Sequence, residues 1–152
     1  MGQLNQHLYG FRIYHVEDGK IIFTQELKDE VKKWGGIGTI YGLYRADPWS
    51  EKNYETGLAG GLSMQAYNQL QKYVIEHSRL GIPFLLSSEC PHGHQALDGY
   101  LLPVNLAVGA SFDPALYERA GAGVRQAVKA DGRGFCTGFG TGYFKRPKMG
   151  AQ

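Results

Sequence analysis

Residues 78–94 constrain the fold of this chain more than any other stretch, because they join a helix end to an apolar segment and then to a carboxylate. They read SRLGIPFLLSSECPHGH. Gly81 and Pro83 stop the preceding helix, and the apolar run after them predicts a buried strand. Glu89 follows where that strand leaves the core. Since α/β folds, and α/β barrels in particular, present ligand-binding groups at this position, the stretch predicts an α/β fold with a binding site near Glu89.

The rest of the chain predicts strands that alternate with helices, as in an α/β domain. Residues 11–24 contain a turn signal and predict a hairpin or an irregular loop. Residues 25–33 predict a helix with Thr24 as its N-cap. The apolar segments at residues 37–43 and 83–88 predict strands that are buried on both faces, as in a parallel sheet.

Two longer helices and a helix remnant complete this prediction. Residues 1–9 resemble the end of a helix. Residues 63–80 predict an amphipathic helix with Ser63 as its N-cap. The positions predicted for its buried face are Tyr67, Leu70, Gln71, Val74 and Ile75. The last helix begins at Asp113 and Pro114, a favoured cap and first-turn pair, and runs to about residue 130.

The loop after the first predicted strand carries a second set of polar groups. It reads YRADPWS and contains Arg45, Asp47 and Trp49. This loop should leave the same end of the sheet as Glu89. Charged side chains bind sugar hydroxyls, and an indole ring stacks on the apolar face of a sugar. The same residues are equally compatible with a structural Arg–Asp pair beside a packed Trp.

Four segments resemble the N-terminal barrel of family-3 glycoside hydrolases, the β-glucosidase and β-xylosidase group. They are YGLYRADPWS, YNQLQKYVIEHS, SRLGIPFLLSSECPHGH and LDGYLLPVNLAVGASFDPALYERAG. Their order and spacing carry the resemblance, which covers residues 2–131. It implies an α/β chain that forms a partial (β/α)8 TIM barrel, incomplete and limited to the first two to three βα units. A whole barrel needs about 250 residues, and the chain has 152.

The resemblance also implies an activity and a set of binding residues. The family hydrolyses terminal β-linked sugars with retention, which needs two carboxyl groups about 5–5.5 Å apart. Both lie beyond the matching residues, so no catalytic residue is expected and the chain should be inactive by itself. Glu89 matches the family's acidic sugar ligand, usually Asp, and His92 matches its His-Gly pair. With Arg45, Asp47 and Trp49 they are the predicted binding residues for a β-glucoside or β-xyloside.

The tail departs from this pattern. Residues 1–133 are predicted to form the partial family-3 domain, whereas residues 134–152 are rich in glycine and offer no apolar strand. Permitted codons for residues 135–152, read one nucleotide further on, give FALALVLDILSDPRWGR, an apolar strand followed by the segment that the family has here. We therefore expect a frame shift near Arg133 and a disordered tail that is translated out of frame.

The composition limits which partners and cofactors can be expected. A formal net charge of +2 is too small to indicate nucleic acid, and no apolar run reaches the roughly 20 residues of a membrane span. No cofactor is expected. Two cysteines make no disulfide framework, so Cys90 is predicted to be a buried small residue. The compartment stays open, with the cytoplasm slightly favoured because no signal peptide is visible.

Two alternatives belong to other functional classes. The first is a non-catalytic carbohydrate-binding module that uses the same Glu89, Arg45, Asp47 and Trp49. The second is a small metal-dependent hydrolase with Glu89, His92 and His94 as ligands, a set that zinc accepts. A turn between the two histidines argues against the second alternative.

Overall fold

The computed structural model describes residues 6–130 and the strand at residues 135–137. In chain order the elements are β1 (Gln6–Tyr9), β2 (Tyr14–Glu17), β3 (Lys20–Phe23), α1 (Gln25–Trp34), β4 (Thr39–Tyr41), α2 (Gly61–His77), β5 (Leu85–Glu89), α3 (Asn105–Gly109), α4 (Pro114–Ala130) and β6 (Phe135–Thr137). The fold is mixed α/β, as predicted. None of the helices in these residues has the length and apolar character needed to cross a bilayer.

The main sheet has the strand order β1-β4-β5-β6, and all three pairings are parallel. Helix α1 lies between β1 and β4 in the chain, α2 lies between β4 and β5, and α3 and α4 lie between β5 and β6. Over the described residues the sheet is open, so successive parallel strands lie side by side without closing on one another.

The first strand of this sheet was missed by the sequence prediction. The helix end predicted for residues 1–9 is wrong over Gln6–Tyr9, which form β1 beside β4; residues 1–5 lie outside the described part. A short 3-10 helix, Gly10–Arg12, follows β1, and Gly10 is needed at its start because a Cβ there would lie 2.4 Å from the Cα of Leu43. The strand predicted at residues 37–43 is confirmed, with its paired part limited to Thr39–Tyr41.

The predicted hairpin and first helix are confirmed. Strands β2 and β3 pair antiparallel around Asp18 and Gly19, whose φ angles of 49° and 70° fit the two-residue turn that matches strand twist. Helix α1 ends at Gly35, which is left-handed with φ 68°. Thr24 occupies the N-cap with an extended backbone, but its hydroxyl makes no capping hydrogen bond.

Helix α2 buries a face that is rotated from the predicted one. It begins at Gly61, so Ser63 lies inside its first turn instead of capping it. The positions that it buries are Ser63, Ala66, Leu70 and Val74. Ile75 was predicted to be buried but is 40% exposed. Spacings of three and four residues place the observed set on one stripe of the helix, which begins with the small residues Ser63 and Ala66.

The two faces of the sheet are covered unequally. Leu8, Ile40 and Leu86 pair across β1, β4 and β5, and all three are buried. On the opposite face, Leu85 is 70% exposed and Tyr41 is half-buried. The prediction that β5 is buried on both faces is therefore wrong, because only the face of Leu86 packs against the core.

The C-terminal part confirms one prediction and corrects another. Asp113 Oδ1 accepts a hydrogen bond of 2.9 Å from the Leu116 amide, and Pro114 is the first residue of α4, as predicted. The prediction that residues 134–152 form a disordered tail without a strand is wrong over Phe135–Thr137, which form β6 and pair with β5. Backbone pairing needs no aliphatic side chain, which is why composition gave no signal. The rest of the predicted tail, residues 138–152, lies outside the described residues.

The buried face of α2 predicts that truncating two of its residues, Leu70 and Ile75, has different effects on stability. Leu70→Ala should lower the free energy of unfolding by about 2–5 kcal/mol, because Leu70 is fully buried in the main core. Ile75→Ala should change it by less than about 0.5 kcal/mol, as exposed substitutions do. Urea denaturation of both variants measures the difference, and equal losses would place Ile75 in the core.

Candidate functional site

Three strand ends meet at the carboxyl edge of the sheet. Tyr9, Tyr41 and Glu89 are the last residues of β1, β4 and β5. Tyr9 pairs with Tyr41, and Tyr41 pairs with Ser87, two residues before Glu89. Because side chains alternate between faces along a strand, all three point to the less covered face of the sheet. Parallel pairing thus gathers two phenols and a carboxylate at one edge.

A chain of short hydrogen bonds links four side chains there. The Tyr41 hydroxyl donates to Glu89 Oε2 at 2.8 Å and accepts from Arg45 Nη1 at 2.7 Å. Arg45 Nε and Nη2 each lie 2.7 Å from Asp47 Oδ2. A hydrogen-bonded series therefore runs from the loop after β4 to the end of β5, in the order Asp47, Arg45, Tyr41, Glu89. Hydrogen bonds to charged groups, as in this series, are stronger than those between neutral groups.

The Trp49 ring packs against Arg45 of this hydrogen-bonded series and against the rings of Tyr9 and Phe11. Its ring centroid is 4.6 Å from the Arg45 guanidinium carbon, 5.1 Å from the Tyr9 ring and 5.0 Å from the Phe11 ring. Both ring contacts are edge-to-face, a favoured aromatic geometry. Trp49 nevertheless remains 49% exposed, so a fixed indole surface faces solvent beside the Arg45 guanidinium. We call Tyr9, Phe11 and Trp49 the aromatic platform.

The loop that carries Arg45, Asp47 and Trp49 is held at both ends. Asp47 Oδ1 accepts from the Ser50 amide at 2.9 Å, and the Asp47 amide donates to Ser50 Oγ at 2.9 Å. The Ala46 amide donates to the Gln95 carbonyl at 3.0 Å, which ties this loop to the one after β5. The side chains at the edge are therefore fixed by local backbone geometry as well as by one another.

Charge pairing dominates the electrostatics of the edge. Partial burial tends to lower the pKa of the Arg45 guanidinium, but the hydrogen bond to Asp47 and the nearby negative groups outweigh it and raise that pKa. Burial tends to raise the pKa of Asp47, yet its bonds from Arg45 and Ser50 hold the pKa below its ordinary value. Burial, followed by the bond to Glu89, raises the pKa of Tyr41 to about 12.

His92 lies apart from the linked side chains. Its ring contacts Gln95 at 3.4 Å between nitrogens, and its carbonyl accepts from the Leu102 amide at 2.7 Å. Gly93 follows with φ 107°, where a Cβ would lie 2.2 Å from the Tyr100 carbonyl oxygen. His92 and Gly93 therefore shape the turn after β5, and no hydrogen bond within residues 6–130 joins His92 to Glu89.

The residues considered for a metal site do not converge. His94 is buried with its Nδ1 4.0 Å from Cys90 Sγ, whereas Glu89 is exposed and bonded to Tyr41. Over the described residues no group of three or more His, Cys, Asp or Glu side chains could hold an ion. Cys90 is buried as predicted, but it is disulfide-bonded, which the sequence did not predict; the chain's other cysteine is Cys136.

Four of the five predicted binding residues come together, since Glu89, Arg45, Asp47 and Trp49 are joined directly or through Tyr41. The Arg–Asp pair and the packed Trp that formed the structural reading of this loop are present as well. Tyr9 and Tyr41 were missed. Each is an aromatic residue at the end of a strand, the same signal that singled out Glu89, but Tyr9 required β1 to be recognised as a strand.

The edge offers groups suited to a polyhydroxylated ligand. Glu89 Oε1 accepts no hydrogen bond from the described residues and is open to donors such as hydroxyls. The exposed part of Trp49 offers a flat apolar surface beside Arg45. Asp47 is engaged with Arg45 and Ser50 and is largely buried, so of the two carboxylates in the hydrogen-bonded run Glu89 is the one that a ligand can reach.

No protein-family model and no curated protein matches this chain.

The Arg45–Asp47 pair predicts a pH-dependent loss of stability. Asp47→Asn should lower the free energy of unfolding by about 1.5–3 kcal/mol at neutral pH, the range for hydrogen bonds to charged groups. Because the folded-state pKa of Asp47 is depressed, the contribution of the pair is complete above the ordinary Asp value of 3.8 and disappears as pH falls through the lower folded value. The difference between Asp47→Asn and wild type should therefore narrow in acid.

Urea denaturation at neutral and acidic pH measures this difference. Asp29→Asn is the matched control, because Asp29 lies on the exposed part of α1 and accepts a bond from Gln25 that asparagine can also accept. A difference for Asp47→Asn that is independent of pH would contradict the assignment.

Proposed function

We propose that this chain is part of a family-3-type glycoside hydrolase barrel and that its carboxyl edge binds the terminal sugar of a β-glucoside or β-xyloside. The observation that carries the proposal is the hydrogen-bonded run from Asp47 through Arg45 and Tyr41 to Glu89, with exposed Trp49 beside it. Glu89 accepts hydrogen bonds from sugar hydroxyls, and the Trp49 indole covers the apolar face of the sugar ring.

The strand order supports a partial barrel. In a doubly wound sheet the order reverses at a switch point, whereas in a (β/α)8 barrel each parallel strand pairs with its neighbours in the chain. Here the order of the main sheet follows the chain, β1-β4-β5-β6, with β2 and β3 forming a separate hairpin. The described residues contain no reversal, which supports the proposal that they are consecutive strands of a barrel.

The uneven cover of the sheet supports the same proposal. Parallel sheets in doubly wound folds have helices on both faces. In this sheet Leu86 and Ile40 are buried, while Leu85 is exposed and Thr39 is half-buried. A barrel places helices outside and strand side chains inside, so the less covered face corresponds to a barrel interior. Tyr9, Tyr41 and Glu89 then lie at its mouth, where such folds bind ligands.

The proposed role of this chain is binding without hydrolysis. Retaining cleavage needs a nucleophile and an acid/base about 5–5.5 Å apart. Of the two carboxylates in the hydrogen-bonded run, Glu89 is exposed, whereas Asp47 is neutralised by Arg45. This arrangement serves a glycone-binding subsite within a larger barrel, and it serves equally a non-catalytic carbohydrate-binding module, which is the second candidate.

Two matched variants test sugar binding. The chain has two tryptophans, and Trp34 is 42% exposed at the opposite end of the sheet, so Trp34→Phe is the control for Trp49→Phe. Methyl β-glucoside or methyl β-xyloside should quench tryptophan fluorescence in wild type and in Trp34→Phe. Trp49→Phe should abolish the quenching and weaken binding by roughly tenfold, as loss of aromatic contact does.

Glu89→Gln should weaken the same binding by about tenfold or more, because it removes a charged acceptor. Glu76→Gln, an exposed acid on α2, should have no effect. Nitrophenyl β-glucoside should not be hydrolysed by the chain. Binding that survives both Trp49→Phe and Glu89→Gln, measured by calorimetry, would refute the proposed site, and stoichiometric turnover would refute the absence of catalysis.

A further inference from the structure

We propose that Arg12 binds an anionic group on the carbohydrate, a carboxylate or a sulfate, and so selects acidic saccharides over neutral ones. This inference rests on the proposed function, because it concerns the ligand of the same edge. It goes beyond that function by giving the site a second charged contact and a preferred class of ligand.

The position of Arg12 is fixed by the aromatic platform. Its guanidinium carbon lies 5.3 Å from the centroid of the Tyr9 ring and 5.8 Å from that of Phe11, within cation–π range of both. Tyr9 and Phe11 stack on each other at 5.7 Å, and both contact Trp49. Arg12 and Trp49 therefore flank the same two rings.

Arg12 has an unused hydrogen-bonding capacity. It is exposed, and within residues 6–130 it forms neither a side-chain hydrogen bond nor an ion pair. Arg45, the other guanidinium of this edge, is paired with Asp47. A planar guanidinium held on aromatic rings presents a rigid fork of donors, and this geometry matches a carboxylate or a sulfate.

The charges at the two ends of the site determine how an acidic sugar would lie. Glu89 supplies the negative end beyond Tyr41, and Arg12 supplies the positive end beyond Tyr9. An anionic substituent is repelled by Glu89 and attracted by Arg12, so it points towards Arg12 while hydroxyls at the other end of the ligand donate to Glu89. Glu89 is bonded to Tyr41, the Tyr41 ring lies 6.1 Å from the Tyr9 ring, and Arg12 lies over Tyr9.

The test compares methyl β-glucuronide with methyl β-glucoside by calorimetry. Wild type should bind the glucuronide about tenfold tighter, the size expected for one charge-assisted contact, and added salt should reduce this preference. Arg12→Gln should remove the preference and leave glucoside binding within about twofold, since an exposed rim substitution has little effect on neutral contacts. Arg79→Gln, an exposed arginine at the opposite end of the sheet, should keep the preference.

The outcomes separate the two proposals. Equal binding of the two ligands by wild type refutes the role of Arg12 and leaves the proposed function standing. Equal weakening of both ligands in Arg12→Gln also refutes it, because that result means Arg12 only supports the rings of Tyr9 and Phe11. Failure of wild type to bind either ligand refutes the proposed function itself.

Discussion

The parallel pairing of β4 with β1 on one side and β5 on the other is the constraint on which the rest of this structure depends. Only three residues of β4 are paired, and their centre, Ile40, is completely buried. Because parallel strands end at the same edge, this pairing alone aligns Tyr9, Tyr41 and Glu89. Immediately after β1, Gly10 lets the chain pass against the backbone of Leu43.

At the edge built on this pairing, some charged side chains pair with each other and others are exposed to solvent. Arg45 and Asp47 neutralise each other under partial cover, where a lone charge would be costly, and they hold Tyr41 and Trp49 in place. Glu89, bonded to Tyr41, and Arg12, which lies over Tyr9, are both exposed. The internal pair thus fixes geometry, while the two exposed groups keep charge at the surface.

Sequence reasoning succeeded where the signal is local. Glu89 was found because it follows an apolar strand, and Arg45, Asp47 and Trp49 because they lie within one loop. The Asp18-Gly19 turn predicted the hairpin for the same reason. Tyr9 was missed because the identity of β1 comes from its pairing with β4, which is distant in the chain. In a segment of four residues, the spacing of apolar residues does not distinguish a strand from the end of a helix.

Other errors also come from tertiary structure. Ile75 fits a helical stripe as well as Leu70 does, and only the approach of α2 to the sheet decides which of them is buried. The exposure of Leu85 depends on what covers the sheet, which no strand pattern encodes. The disulfide of Cys90 and the pairing of β6 with β5 likewise had no local signal in the sequence.

The apolar side chains outside the core have a thermal consequence. Leu106 and Phe112 are 87% and 91% exposed around α3, and Leu85 is 70% exposed on the sheet. The free-energy cost of hydrating such surface increases on warming from the cold, because apolar hydration carries a large heat capacity. Self-association of this protein through these side chains should therefore depend on temperature as much as on ionic strength. The protein should be most soluble near the freezing point of water.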